Sequence, residues 1–180
     1  MATRTLTPQI AALAADISSV MRTDAPAIEV ARGVAGVLAP ALAVPGLLAH
    51  EHMIGRVECY TQHILYVDPD RQFSIVSLVW MPGHHTVIHD HVSWCVVGVH
   101  HGIEEETLYR LVDNGIEPAH LVRTGHAANT EGSTSYFAPP GDIHAVRNSS
   151  DGKVISIHVY GADVATLGSS IRRTYDLPVR

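Results

Sequence analysis

The feature that most constrains the fold is a change of sequence periodicity near residue 55. From there on, apolar and polar residues alternate in short segments, which is the pattern of half-buried strands. Turn-forming clusters such as Pro82-Gly83 and Asp113-Asn114-Gly115 separate these segments. The segments predicted to be strands are 57–67, 73–80, 93–101, 105–112, 136–138, 145–148 and 153–160. Many short strands with regular turns indicate a β-sandwich or a β-barrel.

The residues before this change have helical periodicity instead. Thr7-Pro8 predicts a helix start, because a capping hydroxyl precedes a proline at the first helical position. A second helix is predicted after Asp24, and Pro40 is expected to interrupt it. We therefore predict one domain in total, with a helical segment over 1–50 packed on a barrel over 51–180 that ends in a basic tail.

The composition excludes several classes of function. Apolar residues make up 46% of the chain, which is enough for a sizeable core. The net charge of −6 argues against a nucleic-acid partner, and no apolar run approaches the length that a bilayer span needs, so we expect no membrane association. The 2 cysteines are too few for a disulfide scaffold, and we expect a reducing, cytoplasmic setting. The unusual number is 13 histidines, since histidine is the commonest metal-binding side chain.

The spacing of three of these histidines predicts a metal site. His89 and His91 are two residues apart, so on a strand both rings project from the same face. His144 follows a Pro-Gly turn and enters another predicted strand. A facing pair and one distant histidine would give a metal three protein ligands and leave positions open for other molecules.

Both histidine segments lie in longer patterns that resemble the two motifs of the cupin family. The first pattern is Gly83, five residues, His89-x-His91 and then Gly102. The second is Pro139-x-Gly141-x-x-His144-x-x-x-Asn148. The resemblance extends over about 83–148 and implies a mainly β cupin fold, a small jelly-roll β-barrel, here with N-terminal helices.

One departure from the cupin pattern narrows this resemblance. Cupins commonly have a glutamate ligand four residues after the second histidine, where this chain has Cys95. In this respect the chain resembles the three-histidine thiol dioxygenases, such as cysteine dioxygenase and 3-mercaptopropionate dioxygenase. The resemblance implies Fe(II) held by His89, His91 and His144. It also implies addition of both atoms of O2 to the sulfur of a small thiol carboxylate, giving a sulfinate.

A second similarity to these enzymes lies in the last predicted strand. Ser156, His158 and Tyr160 alternate with apolar residues and so share one strand face. Buried polar groups of this kind need hydrogen-bond partners, which they can offer one another. Thiol dioxygenases have a Ser-His-Tyr relay of this spacing beside the iron. The resemblance therefore implies catalytic roles for the three residues, and the alternative is a hydrogen-bonded network within the core.

The resemblance also implies where the substrate carboxylate would bind. In cysteine dioxygenases an arginine follows a Tyr-Thr pair, whereas here Gln62 follows Tyr60-Thr61. The 3-mercaptopropionate enzymes have glutamine there and an arginine near the C-terminus, and this chain offers Arg172 and Arg173. These similarities favour 3-mercaptopropionate as substrate, with Tyr60 and Gln62 in the binding site, and leave L-cysteine as the alternative.

Other questions stay open at this stage. Some cysteine dioxygenases join a cysteine to the relay tyrosine through a thioether, and Cys95 and Tyr160 could be joined in this way. A non-catalytic metal-binding cupin, and a metal-dependent isomerase or another dioxygenase on the same barrel, are the competing functions. We expect a monomer or a small homo-oligomer whose partners are a small thiol carboxylate and O2.

Overall fold

The computed structural model describes residues 6–180. The chain begins with two helices, α1 (Pro8–Val20) and α2 (Ala27–Leu42), followed by a short 3-10 helix at His50–Met53. A third, short helix, α3 (Val164–Leu167), lies between the last two strands. None of the helices in the described part of the chain is long and apolar enough to cross a membrane.

In the described part of the chain, ten strands form two antiparallel five-stranded sheets. The strands are β1 (Thr61–Val67), β2 (Ser74–Trp80), β3 (His89–His91), β4 (Cys95–His101), β5 (Ile103–Val112), β6 (His120–Thr130), β7 (Thr134–Phe137), β8 (Ile143–Arg147), β9 (Val154–Tyr160) and β10 (Ile171–Thr174). The order is β1-β2-β9-β4-β7 in the first sheet and β10-β3-β8-β5-β6 in the second. The predicted mainly β cupin fold is confirmed by this architecture.

The helices and the first sheet share one apolar core. Thr7 caps α1 as the sequence predicts, because its side chain accepts a hydrogen bond from the backbone N–H of Ile10. Helix α2 packs against β4 and β7. Gly98 makes this close approach possible, since a Cβ there would lie only 2.8 Å from the side chain of Leu38. The outer face of the first sheet is thus covered, and its inner face turns towards the second sheet.

Some sequence expectations about these elements are wrong. Pro40 does not interrupt α2, which continues to Leu42, because the proline lies so near the C-terminal end that only the backbone hydrogen bond to the Gly36 carbonyl is lost. Strands β3, β6 and β10 are not among the segments that the sequence predicts as strands. Strands β3 and β10 have only three and four residues, which is too short for a visible alternation. Strand β6 is an edge strand with mostly exposed residues on both faces, so its sequence has no apolar alternation. It pairs with β5 along its whole length and closes the side of the barrel.

Candidate active site

Three histidine rings converge inside the barrel. Strand β3 supplies His89 and His91, and the neighbouring β8 supplies His144, which is paired in register with His89. All three side chains are buried, and their possible ligand atoms lie within 4.8 Å of one another. In residues 6–180 no carboxylate joins this group. The structure therefore brings together the three ligands that the sequence predicts.

The second nitrogen of each ring is already engaged, which tests whether a metal fits here. Each Nδ1 lies within hydrogen-bond distance of an acceptor, namely the Val87 carbonyl oxygen for His89 (2.9 Å), Asp142 Oδ2 for His91 (3.0 Å) and Glu106 Oε1 for His144 (2.6 Å). An imidazole that donates from Nδ1 presents the lone pair of Nε2 to a metal. The three-histidine group could therefore hold a metal ion through its Nε2 atoms.

The electrostatics of the site favour the neutral rings that metals require. Burial lowers the pKa of His89 to about 3, and the nearby His144 adds to this shift. Burial also lowers the pKa of His91, although the hydrogen bond with Asp142 opposes the effect. Burial alone would raise the pKa of Glu106, but the hydrogen bond and charge of His144, together with Asn129 and Ser135, lower it by more and hold the carboxyl ionised.

A hydrogen-bonded chain of side chains runs along β9 beside the histidines. Tyr160 OH lies 3.1 Å from His158 Nδ1, and His158 Nε2 lies 3.0 Å from Ser156 Oγ. The indole N–H of Trp80 donates to Ser156 Oγ at 3.0 Å. Tyr160 also reaches the metal group, because its ring centroid is 6.1 Å from that of His91. The predicted relay residues are therefore buried, connected and adjacent to the three histidines.

The pKa shifts of His158 and Tyr160 indicate the protonation state of each side chain in the relay. Burial, with a contribution from the three nearby histidines, lowers the pKa of His158 well below its usual value, so the ring is neutral. Burial raises the pKa of Tyr160 well above its usual value, and Cys95 adds to the shift, so the phenol keeps its proton. Because a neutral imidazole has one donor and one acceptor nitrogen, the hydrogen bonds from Tyr160 through His158 to Ser156 must all run in the same direction.

The three histidines line one small cavity of about 30 Å³ together with Tyr160 and His158 of the relay. The exposed Gln62 lies at its rim, and Tyr60 lines it with its ring packed on Trp80 at a centroid distance of 4.6 Å. Ser169 and Ser170, which precede β10, form another part of the wall. Tyr60 and Gln62, which were predicted to bind the substrate, thus lie beside the three-histidine group. The cavity admits only a small molecule.

The structure does not bring Arg172 and Arg173 to this cavity. Both side chains turn to the opposite side of β3, where Arg172 Nη2 lies 2.6 Å from Asp90 Oδ2. Arg173 hydrogen-bonds to Tyr175, whose hydroxyl donates to the same Asp90 carboxylate at 2.8 Å. Asp90 is almost completely buried and attracts both cations, so the expected contact between either arginine and a carboxylate in the cavity is not found here.

Cys95 lies directly opposite Tyr160 in the pairing of β4 with β9. The thiol is buried, and burial raises its pKa well above the usual value. Directly opposed residues in antiparallel strands have side chains on the same face, so the two side chains are neighbours. The thioether between Cys95 and Tyr160 stays a prediction.

The sequence reasoning missed the acidic residues that support the site. The carboxylate of Asp142 accepts a hydrogen bond from the backbone N–H of His91 and lies within hydrogen-bond distance of the His91 ring. Glu106 is hydrogen-bonded to the ring of His144 in the same way. Glu104 lies on the same face of β5 as Glu106 and is also buried. Only part of a signal for the two glutamates was present, because residues two apart on a strand share one face, but the strand predicted over 105–112 begins after Glu104.

Comparison with known proteins gives a family match and several structural neighbours. Residues 52–170 match the model of the family described as cysteine dioxygenase type I. The chain is similar to the crystal structure of TT1209 from Thermus thermophilus, with 18% identity, 64% of this chain and 95% of that one covered, and a TM-score of 0.46. A cupin 2 conserved barrel domain protein from Salinispora arenicola gives 19% identity, 69% and 94% coverage, and a TM-score of 0.45. A recombinant oxalate oxidase in complex with glycolate gives 14% identity, with 65% of this chain and 60% of that one covered, and a TM-score of 0.47.

The fold and the three-histidine group define the class of protein, which is a cupin with a candidate metal centre inside its barrel. The family match covers well over half of the chain. The chain therefore belongs to the cysteine dioxygenase type I family.

Proposed function

We propose that this protein is a non-haem iron thiol dioxygenase that adds both atoms of O2 to the sulfur of a small thiol carboxylate, giving a sulfinate. The observation that carries the proposal is the shared cavity that is lined both by the three-histidine group and by Tyr160 and His158 of the relay. A cupin that only bound a ligand would have no need of a buried relay directed at its metal site. The family membership supports the same class of reaction.

His89, His91 and His144 would hold the iron through Nε2, with no negative charge among the ligands. The bound Fe(II) would supply positive charge that favours the thiolate form of the substrate and the redox chemistry that O2 requires. The protein supplies the surroundings. Asp142 and Glu106 fix the orientation of two ligand rings, and burial of the cavity excludes bulk water.

Tyr160 is the proton donor that the relay places in the cavity. Its phenol stays protonated because burial raises its pKa. A hydrogen bond from this hydroxyl would stabilise negative charge that develops on oxygen or sulfur during the reaction. His158 and Ser156 orient the phenol, since each is hydrogen-bonded to the next.

The lining of the cavity supports a thiol carboxylate without an essential amino group, such as 3-mercaptopropionate. In the described part of the chain, no Asp or Glu lines the cavity to bind an ammonium group. Gln62 provides a neutral amide at the rim, and Ser169 and Ser170 add hydroxyl groups. These groups can donate hydrogen bonds to a carboxylate. L-cysteine is the second candidate, because the family match is to cysteine dioxygenase type I.

The test is oxygen uptake and sulfinate formation by the protein reconstituted with Fe(II) under anaerobic conditions. The substrates are 3-mercaptopropionate, L-cysteine, cysteamine and 3-mercaptolactate. We expect one O2 consumed per sulfinate formed and the highest kcat/KM for 3-mercaptopropionate. The variant His144→Ala should lose the activity, whereas His101→Ala should retain it because His101 is exposed and pairs only with Glu131 in the part of the chain that the structure describes.

Two outcomes would overturn parts of this proposal. Absence of sulfinate with every thiol, in protein that contains iron, would exclude the dioxygenase function. A higher kcat/KM for L-cysteine would leave the reaction class intact and replace the proposed substrate.

A further inference from the structure

Glu104 is a buried acid at the far end of the relay that neither the family motifs nor the metal group accounts for. Glu104 lies on β5 in the second sheet, which contacts β9 in the first sheet, and the Ser156 hydroxyl on β9 is near enough to lower the pKa of the Glu104 carboxyl group. Only 1% of Glu104 is exposed, and its Oε2 atom has no hydrogen-bond partner among residues 6–180. A buried carboxyl oxygen without a partner is costly, so Glu104 calls for a role beyond packing.

The number of protons on Ser156 limits how the chain can be connected. Ser156 Oγ accepts a hydrogen bond from Trp80 and has one proton to donate. That proton can go to His158 Nε2 or to Glu104, but not to both. Because neutral His158 also has a single N–H, the choice made at Ser156 decides which nitrogen of His158 is protonated.

We propose that Glu104 is a positioning residue that sets the direction of the Tyr160–His158–Ser156 relay. When Glu104 accepts a hydrogen bond from Ser156, His158 donates from Nε2 to Ser156, and its bare Nδ1 accepts the phenol proton of Tyr160. When Glu104 is protonated and donates to Ser156, Ser156 donates to Nε2, and His158 donates from Nδ1 to Tyr160. Only in the second state is the Tyr160 proton free to point into the cavity.

The surroundings of Glu104 allow both states near neutral pH. The pKa of Glu104 is raised to about 7, because burial and the charge of Glu106 raise it by more than the neighbouring Ser156 hydroxyl lowers it. The other titratable groups that interact with Glu104 are Cys95 on β4 and Tyr160 on β9, and burial keeps both protonated. Within the described chain, Glu106 is therefore the charge that acts on Glu104, and its hydrogen bond with His144 keeps it ionised.

This inference deepens the proposed function, because the state with the Tyr160 proton in the cavity is the one that can assist the reaction. The closing experiment does not depend on activity. It uses nitrogen-15 NMR of histidine rings in the full chain loaded with Zn²⁺, a diamagnetic ion that histidines bind. The signals of His158 are assigned by their loss in His158→Gln. We expect the proton of His158 to shift from Nδ1 to Nε2 as the pH rises through about 7.

Three variants separate this role from a structural one. Glu104→Gln has the same shape but no ionisable group, and should abolish the pH-dependent shift of His158. Ser156→Ala should abolish it too, because it removes the connection. Glu105→Gln is the matched control, since Glu105 is the neighbouring residue paired with Arg147 outside the barrel, and it should titrate as the wild type does.

A His158 tautomer that does not change between about pH 5.5 and 8.5 in the wild type, a window centred on the pKa of Glu104, would overturn the inference. So would a shift that persists unchanged in Glu104→Gln. If the shift is found but no thiol is oxidised, the relay assignment stands and the proposed function fails. If thiols are oxidised but the tautomer of His158 does not shift, the proposed function stands and the role of Glu104 in the relay fails.

Discussion

The hydrogen bond between Glu106 and His144 gives the sharpest test of the metal centre. Glu106 Oε1 lies 2.6 Å from His144 Nδ1, both groups are buried, and the carboxyl is ionised. A hydrogen bond to a charged group contributes about 1.5–3 kcal/mol, against about 0.5–1.5 kcal/mol for a neutral one. Glu106→Gln keeps an acceptor but removes the charge, so about 1 kcal/mol of ligand orientation and basicity is lost. Metal affinity should fall about 5-fold.

Glu106→Leu should weaken metal binding further, because the Nδ1–H of His144 would then be buried without an acceptor. Loss of such a partner to a metal-binding histidine typically lowers affinity about 10–100-fold. The assay is competition for Zn²⁺ and, anaerobically, for Fe²⁺ against a chelator of known affinity. Glu105→Gln on the outer face of the same strand is the control. Wild-type affinity in both Glu106 variants would refute the reasoning, provided that the circular dichroism spectra are unchanged.

The other predictions concern the relay, the C-terminal strand and the cavity rim. Tyr160→Phe should lower kcat about 100-fold, as expected for loss of one hydrogen bond to the transition state, while metal content stays at the wild-type level; loss of metal would contradict its assignment to the relay. Arg172→Ala should lower Tm by a few degrees and leave KM nearly unchanged, because Arg172 holds Asp90 and not the cavity. Hydrogen bonds with Arg172 and Tyr175 hold the pKa of Asp90 below 3.8, against the effect of burial. This contribution to stability is therefore present above pH 3.8 and lost as the pH falls further, and acid unfolding of Arg172→Ala measured by circular dichroism should show a smaller dependence on pH in that range. Gln62→Glu should raise KM for 3-mercaptopropionate more than for cysteamine, since it places a negative charge at the rim, and an equal effect on both would contradict that placement.

Local periodicity was enough to predict most of the fold. The strands that contain buried alternating residues are predicted within a few residues of their ends, and so is the capped start of α1 at Pro8. His89, His91 and His144 could be predicted because their spacing and the turn before His144 are local features. Strand β6 could not, since it is defined by pairing with β5 and not by an apolar face of its own.

Contacts between distant segments could not be predicted from the sequence. The bond between His144 and Glu106 joins residues 38 positions apart, and that between Ser156 and Trp80 joins residues 76 apart. The role of Glu104 depends on the two sheets facing each other, which no single strand reveals. The acids on β5 were therefore only partly visible as a pattern, and their partners were not visible.

The arginines near the C-terminus illustrate the same limit and give the site a further physical logic. The alternation of β3 that points His89 and His91 into the barrel necessarily points Asp90 the other way. Asp90 there binds Arg172 of β10, which lies 82 positions away. Strand β10 directly follows Ser169 and Ser170, which form part of the cavity wall. The charge of Arg172 thus holds the strand beside that wall, and the polarity of the cavity is left to neutral groups and to any metal ion that the three histidines bind.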